Sequence, residues 1–140
     1  MQSPQNILAL QNNFCMTHDD DKLVVLLVDD SLLIVDKVLG LLQELENIRI
    51  IFQASTCSEA IIIVEEAEPD IVLMDIFLGG RISFELLKIL GENHPSVETA
   101  VISNHAGARY RESCKKLGAR HFFDKSTEFR QLVKMMSEKK

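Results

Sequence analysis

Two short apolar runs that end in carboxylates constrain this chain more than any other feature. Ile71-Val72-Leu73-Met74 runs straight into Asp75, and Leu23-Val24-Val25-Leu26-Leu27-Val28 runs into Asp29-Asp30. The run into Asp75 lies between Pro69-Asp70 and Gly79-Gly80, and a continuous apolar run bounded by turn signals fits a strand buried on both faces. A carboxylate at the exit of such a strand is costly in the core and useful at its rim. In open parallel sheets, ligands bind outside the carboxyl ends of the strands.

The remaining segments alternate between the two periodicities. Ser31 is placed to cap a helix running to about Glu46, with Val35, Val38, Leu42 and Leu45 at helical spacing. Ile48 to Ala54 reads as a strand, and Thr56 with Glu59 fits a capping box. The β-branched run Ile61-Ile62-Ile63-Val64 would suit a strand, but the cap and its place between two strands favour a helix. A loop follows Asp75, then a helix from about Ile82 to Leu90 with Gly91 as its stop. Thr99 to Ile102 forms a fourth strand ending at Ser103. The next helix turns Tyr110, Cys114 and Leu117 inward and closes at Gly118. His121-Phe122-Phe123 is a fifth strand ending near Asp124-Lys125. The last helix begins at about Thr127, with Phe129, Leu132, Val133 and Met136 at i, i+3, i+4 and i+7. Five strand–helix pairs imply right-handed crossovers and a parallel sheet: an α/β fold in one domain over residues 22–140. Residues 1–21 are expected to be a mobile arm, in which Ile7, Leu10 and Phe14 are docking candidates and Met16 an alternative start.

Length and charge narrow the function classes. A chain of 140 residues suits one domain with a full core. A net charge of −6 argues against a general nucleic-acid surface. Cys15, Cys57 and Cys114 share no metal-type spacing and read as free thiols of a reducing cytosol. The histidines are scattered, and no stretch approaches a membrane span or a signal-peptide core, so a cytoplasmic protein without membrane contact is expected.

The polar residues at the strand ends form one set. Asp29 and Asp30 end the first strand, Asp75 the third, Ser103 the fourth and Lys125 the fifth, and in a parallel sheet all lie on one edge. Three crowded carboxylates call for a cation. Hard oxygen ligands suit Mg²⁺, which takes one or two carboxylates, waters and phosphate oxygens. A carboxylate can act as nucleophile toward phosphorus, with a lysine and a hydroxyl to engage the transferred group. No leaving-group pocket is legible, so the phosphoryl donor is expected to be small or carried by another protein.

In these residues the chain resembles the CheY-like receiver domains of two-component response regulators, from about Lys22 to the C-terminus. The shared pattern is an acidic pair after the first strand, here Val28-Asp29-Asp30, and an acceptor after the third, Leu73-Met74-Asp75. Ser or Thr follows the fourth, Val101-Ile102-Ser103, and Lys the fifth, Phe122-Phe123-Asp124-Lys125. The resemblance implies a flavodoxin-like (βα)5 domain, with strand order 2-1-3-4-5 and helices on both faces. It implies that Asp75 is the phosphoacceptor, and that Asp30, Asp75 and the Phe77 backbone carbonyl bind Mg²⁺ directly while Asp29 helps through water. Ser103 and Lys125 would engage the phosphoryl group. Phe122 stands at the aromatic switch position, although plain core packing explains it equally well. The switched surface would be the face of the fourth helix, fifth strand and fifth helix, including Arg109, Arg111, Lys115 and His121. The implied partners are a sensor histidine kinase or phosphotransfer protein and a downstream protein target, with the chain a monomer or weak dimer.

Four departures bear on the site. The Pro and Gly usual four and eight residues after the acceptor are Gly79 and Ser83 here, which predicts a looser loop. Ser126 replaces the cis-bonded Pro that usually follows the lysine, which puts the placement of Lys125 in question. Asn104 stands where the family is small and predicts narrower access to Asp75. Phe77 and His105 flank the site where the family varies its dephosphorylation rate, and bulky Phe77 is expected to shield an acyl phosphate from water. The alternative is a phosphorylation-independent interaction module on the same fold. A phosphatase of the haloacid dehalogenase type is disfavoured, because Phe77 holds the place of its second Asp. The only activities expected are Mg²⁺-dependent self-phosphorylation and self-dephosphorylation. No output domain is legible after Lys125, so the chain reads as a stand-alone receiver or a cut-out of a longer protein.

Overall fold

The computed structural model describes residues 21–139. Strand β1 (Leu23–Val28) sends Val25 and Leu27 to one face of the sheet and Leu26 and Val28 to the other, and all four are buried. Successive side chains of a strand point to opposite faces, so a strand apolar on both must be covered twice. Helices α1 (Leu32–Leu42) and α5 (Phe129–Ser137) cover the first face with Val35, Val38, Leu42, Leu132 and Met136. On the other face, α2 (Cys57–Ala67), α3 (Glu85–Asn93) and α4 (Ala108–Lys116) supply Ile63, Val64, Leu87, Leu90 and Cys114.

The sheet has five parallel strands, β1, β2 (Ile48–Ala54), β3 (Ile71–Met74), β6 (Glu98–Ser103) and β7 (His121–Asp124), in the order β2-β1-β3-β6-β7. Counting these five strands alone, this is the expected order 2-1-3-4-5. Ser31 accepts a hydrogen bond from the Ile34 N–H, and Thr56 accepts one from the Glu59 N–H, so both expected caps form. The reciprocal half of the second cap falls one residue early, because Glu59 Oε1 accepts from the Ser55 N–H at 2.9 Å. The β-branched run Ile61–Val64 is helical. Burial of Ile63 and Val64 against the sheet outweighs its local preference for strand.

Two expectations are corrected. The segment after Asp75 is an antiparallel hairpin of β4 (Phe77–Leu78) and β5 (Arg81–Ile82), and α3 begins only at Glu85. Gly79 and Gly80 adopt φ of 65° and 80°, the left-handed pair that a two-residue hairpin turn demands. Gly91 does not stop α3, which continues to Asn93. A β-carbon there would lie 2.7 Å from the Leu117 carbonyl oxygen, so the glycine lets the ends of α3 and α4 approach. The expected arm at residues 1–21 lies outside the described residues except for Asp21. Among the described residues no helix is long and apolar enough to cross a membrane.

Candidate phosphoryl-transfer site

Because all five strands run the same way, their carboxyl ends share one edge, and three predicted site residues converge there. Lys125 Nζ donates to Asp75 Oδ2 at 2.6 Å and pairs with Asp29 Oδ2 at 2.7 Å. All three side chains are buried. The second oxygens of both carboxylates are held by backbone: Asp29 Oδ1 accepts the Ser31 N–H and Asp75 Oδ1 the Phe77 N–H, each at 2.9 Å. Two carboxylates around one ammonium leave the cluster short of positive charge. Burial pushes the Asp29 carboxyl above its ordinary value despite the hydrogen bonds from Lys125 and Ser31. Burial alone would lower Lys125, but its bonds to Asp29 and Asp75 outweigh that and hold the ammonium above its ordinary value.

The other predicted residues are placed differently. Asp30 is exposed, and its Oδ2 accepts the Gly79 N–H at 3.0 Å, which ties the first strand's acid to the hairpin turn. Ser103 is fully buried, and its Oγ accepts the His105 N–H at 3.0 Å. Asp29, Asp30, Asp75, Phe77, His105 and Lys125 line a cleft of about 310 Å³ with Asn104, and Ser103 is not among its lining residues. Phe77 and His105 form its aromatic side, with ring centroids 5.0 Å apart, and Tyr110 meets His105 edge-on at 5.7 Å. Phe122 is half-buried under the Arg111 guanidinium, 4.8 Å from the ring centroid.

Among the described residues no group of three or more His, Cys, Asp or Glu side chains is gathered closely enough to cage a metal. Mg²⁺ does not require such a cage, since it commonly keeps several waters and takes one or two carboxylates. The oxygen donors fit it. In the hairpin, the Ser83 N–H donates to the Ile76 carbonyl at 2.7 Å. By the alternation of antiparallel pairs, Phe77–Ile82 is then a pair that exchanges no hydrogen bond, so the Phe77 carbonyl is left out of the ladder.

Residues 25–137 match the response regulator receiver domain family. This chain belongs to that family. It is similar to the uncharacterized transcriptional regulatory protein YesN of Bacillus subtilis, 28% identical over 115 residues that make up 81% of this chain and 31% of YesN. The chain spans less than half the length of the first curated relatives it matches. Among solved structures it is similar to a CheY-like receiver domain protein from Methanospirillum hungatei, with a TM-score of 0.73 and 23% identity over 84% of this chain and 92% of that one. It is also similar to the Mn²⁺-bound form of response regulator Rcp1, with a TM-score of 0.68 and 20% identity over 82% and 89%.

Within this receiver, two basic residues expected on the switched face are engaged inside it. His121 Nε2 lies 2.7 Å from Glu98 Oε2, and Arg111 turns toward Phe122 and Glu128. Arg109 and Lys115 are exposed as expected. Sequence reasoning missed the hairpin, for which Gly79-Gly80 between Phe77-Leu78 and Arg81-Ile82 was an available signal. It also missed Glu128, whose Oε1 accepts from the Arg111 guanidinium at 2.7 Å across 17 residues of sequence.

Proposed function

We propose that this receiver accepts a phosphoryl group on Asp75 from the phosphohistidine of a sensor kinase or phosphotransfer protein, and that the modification resets the α4–β7–α5 face toward a protein partner. The observation that carries this reading is the Lys125 ammonium, 2.6 Å from a buried Asp75 oxygen at the floor of an open cleft. A carboxylate oxygen of Asp75 attacks phosphorus, the P–N bond breaks, and its electron pair leaves with the imidazole, giving an acyl phosphate. Lys125 would neutralise charge on the transferred group. Ser103 would have to turn away from the His105 N–H to donate to a phosphoryl oxygen, and that rotation would be the first movement of the switch. When bound by Asp29, Asp30, Asp75 and the Phe77 carbonyl, Mg²⁺ would supply the remaining positive charge.

The donor has to reach Asp75, so its docking surface must adjoin the cleft. Leu32 and Leu33, 80% and 82% exposed at the start of α1, offer apolar contact beside it. The site would act in the cytoplasm, as a self-modifying switch rather than an enzyme that turns over an external substrate. One observation favours the phosphorylation-independent module instead: Asp30 spends its carboxylate on Gly79. Intact mass after incubation with acetyl phosphate and Mg²⁺, beside Asp75→Asn, separates the two. One added phosphoryl group in the wild type alone supports the switch. None, with beryllofluoride also failing to bind, supports the module.

A further inference from the structure

We infer that Arg111 is a positioning residue for the phosphoryl site, stapling the loop after Ser103 to the turn that carries Lys125. Its guanidinium reaches three chain segments at once. Nε donates to the Ala106 carbonyl at 2.9 Å, Nη1 to the Phe122 carbonyl at 3.3 Å and Nη2 to Glu128 Oε1 at 2.7 Å. The same guanidinium lies over the Phe122 ring. Ala106 belongs to the loop leaving β6, Phe122 to β7, and Glu128 to the turn that opens α5.

Glu128 passes the constraint to the backbone. Its Oε1 also accepts the N–H of Asp124, the residue before Lys125, at 2.7 Å. The Arg111 hydrogen bond, and then the Asp124 N–H, hold the Glu128 carboxyl below the usual range. The rest of the turn is held locally. Asp124 Oδ1 accepts the Ser126 N–H at 2.7 Å, and the Ser126 hydroxyl lies 3.4 Å from Asn104 Oδ1. The Lys125 N–H donates to the Ser103 carbonyl at 3.1 Å.

An exposed ion pair is ordinarily worth little. This one differs because a planar fork serves three acceptors in fixed directions, which an ammonium cannot do. The Lys125 ammonium sits at the end of a long side chain, so its place between Asp29 and Asp75 depends on where the turn holds its Cα. A misplacement of about 1 Å in a reacting group can cost on the order of 100-fold in rate.

The catalytic consequence rests on the phosphoacceptor reading of Asp75, whereas the staple itself does not. The experiment therefore measures both in the same samples of the full chain. Phosphoryl uptake from acetyl phosphate with Mg²⁺ is followed by intact mass, and amide hydrogen exchange at Asp124 and Lys125 and the thermal midpoint are recorded alongside. Arg111→Ala should slow uptake roughly tenfold and speed exchange at both amides. Arg111→Lys should recover only part of the rate. Glu128→Gln keeps an acceptor for both donors and should stay near wild type. Wild-type uptake and exchange in Arg111→Ala would overturn the proposal, as would rate losses that merely track the thermal midpoint across the three variants. If the wild type takes up no phosphoryl group, the phosphoacceptor reading fails, and exchange alone judges the staple: faster exchange in Arg111→Ala supports it and unchanged protection overturns it.

Discussion

Lys125 Nζ lies 2.6 Å from Asp75 Oδ2, and the same ammonium is 2.7 Å from Asp29 Oδ2, so one lysine holds two buried carboxylates together. Removing the lysine leaves like charges facing each other out of water. Removing one carboxylate leaves a balanced pair.

Lys125→Met should therefore cost on the order of 3 kcal/mol of stability, while Asp75→Asn should cost under about 1 kcal/mol. The double variant Lys125→Met/Asp75→Asn should recover part of the loss. Urea unfolding of the three variants checks this, and equal losses in both single variants would contradict it.

Glu98 anchors a second charge cluster, at the opposite edge of the sheet. Burial alone would raise its carboxyl, but the hydrogen bonds from Lys139 at 2.5 Å and His121 at 2.7 Å outweigh burial and hold it below its ordinary value of 4.5. A carboxyl depressed in the folded state contributes stability that is present above the unfolded value and lost as pH falls through the folded one. Glu98→Gln should flatten the stability curve below about pH 4.5 and lower its level at pH 7. Urea midpoints at pH 7, 5, 4 and 3 would show it; parallel curves would not fit.

Cys114 is fully buried, and burial pushes its thiol up to about 11. Cys57 is half-buried, and burial, followed by the charge of Glu85 and a hydrogen bond to it, raises its thiol as well. The thiolate is the reactive form. Under native conditions at pH 8, iodoacetamide should modify Cys57 slowly and leave Cys114 untouched until the chain unfolds. Peptide mapping reads both sites, and rapid native labelling of Cys114 would contradict the packing of α4.

Glu68 ends α2 at φ 47°, a left-handed conformation that costs a residue with a β-carbon about 1 kcal/mol. Glycine loses more chain entropy on folding, so Glu68→Gly should gain a net of about 0.5 kcal/mol. A fall in thermal midpoint would mean that the Glu68 side chain does more than close the helix.

The Phe77 ring, 5.0 Å from that of His105, lines the cleft over Asp75. If it keeps water from an acyl phosphate, Phe77→Asn should shorten the phosphate lifetime several-fold. An equal or longer lifetime in the variant would refute the shielding.

The fold was legible because its central strands β1 and β3 are apolar throughout and covered on both faces. Leu23–Val28 and Ile71–Met74 have no polar position to confuse the period, and each hands a carboxylate to the rim. Ser31 and Thr56 announced their helices through local hydrogen bonds that sequence spacing specifies. Asp29, Asp75 and Lys125 could be grouped because equivalent strand ends become neighbours in a parallel sheet. Long-range choices were not legible. Asp30 bonds a hairpin turn 49 residues away, and Arg111 chooses Glu128 over solvent. Gly91 was misread because only tertiary packing against Leu117 reveals a glycine kept for space.

On the proposed function, Asp75 is the residue modified. After incubation with acetyl phosphate and Mg²⁺, borohydride reduces an acyl phosphate to an alcohol, converting a phosphorylated aspartate to homoserine, which a peptide map locates by mass. Homoserine is expected at position 75 and nowhere else. Homoserine at Asp29 or Asp30, or at no position while beryllofluoride also fails to bind, would contradict it.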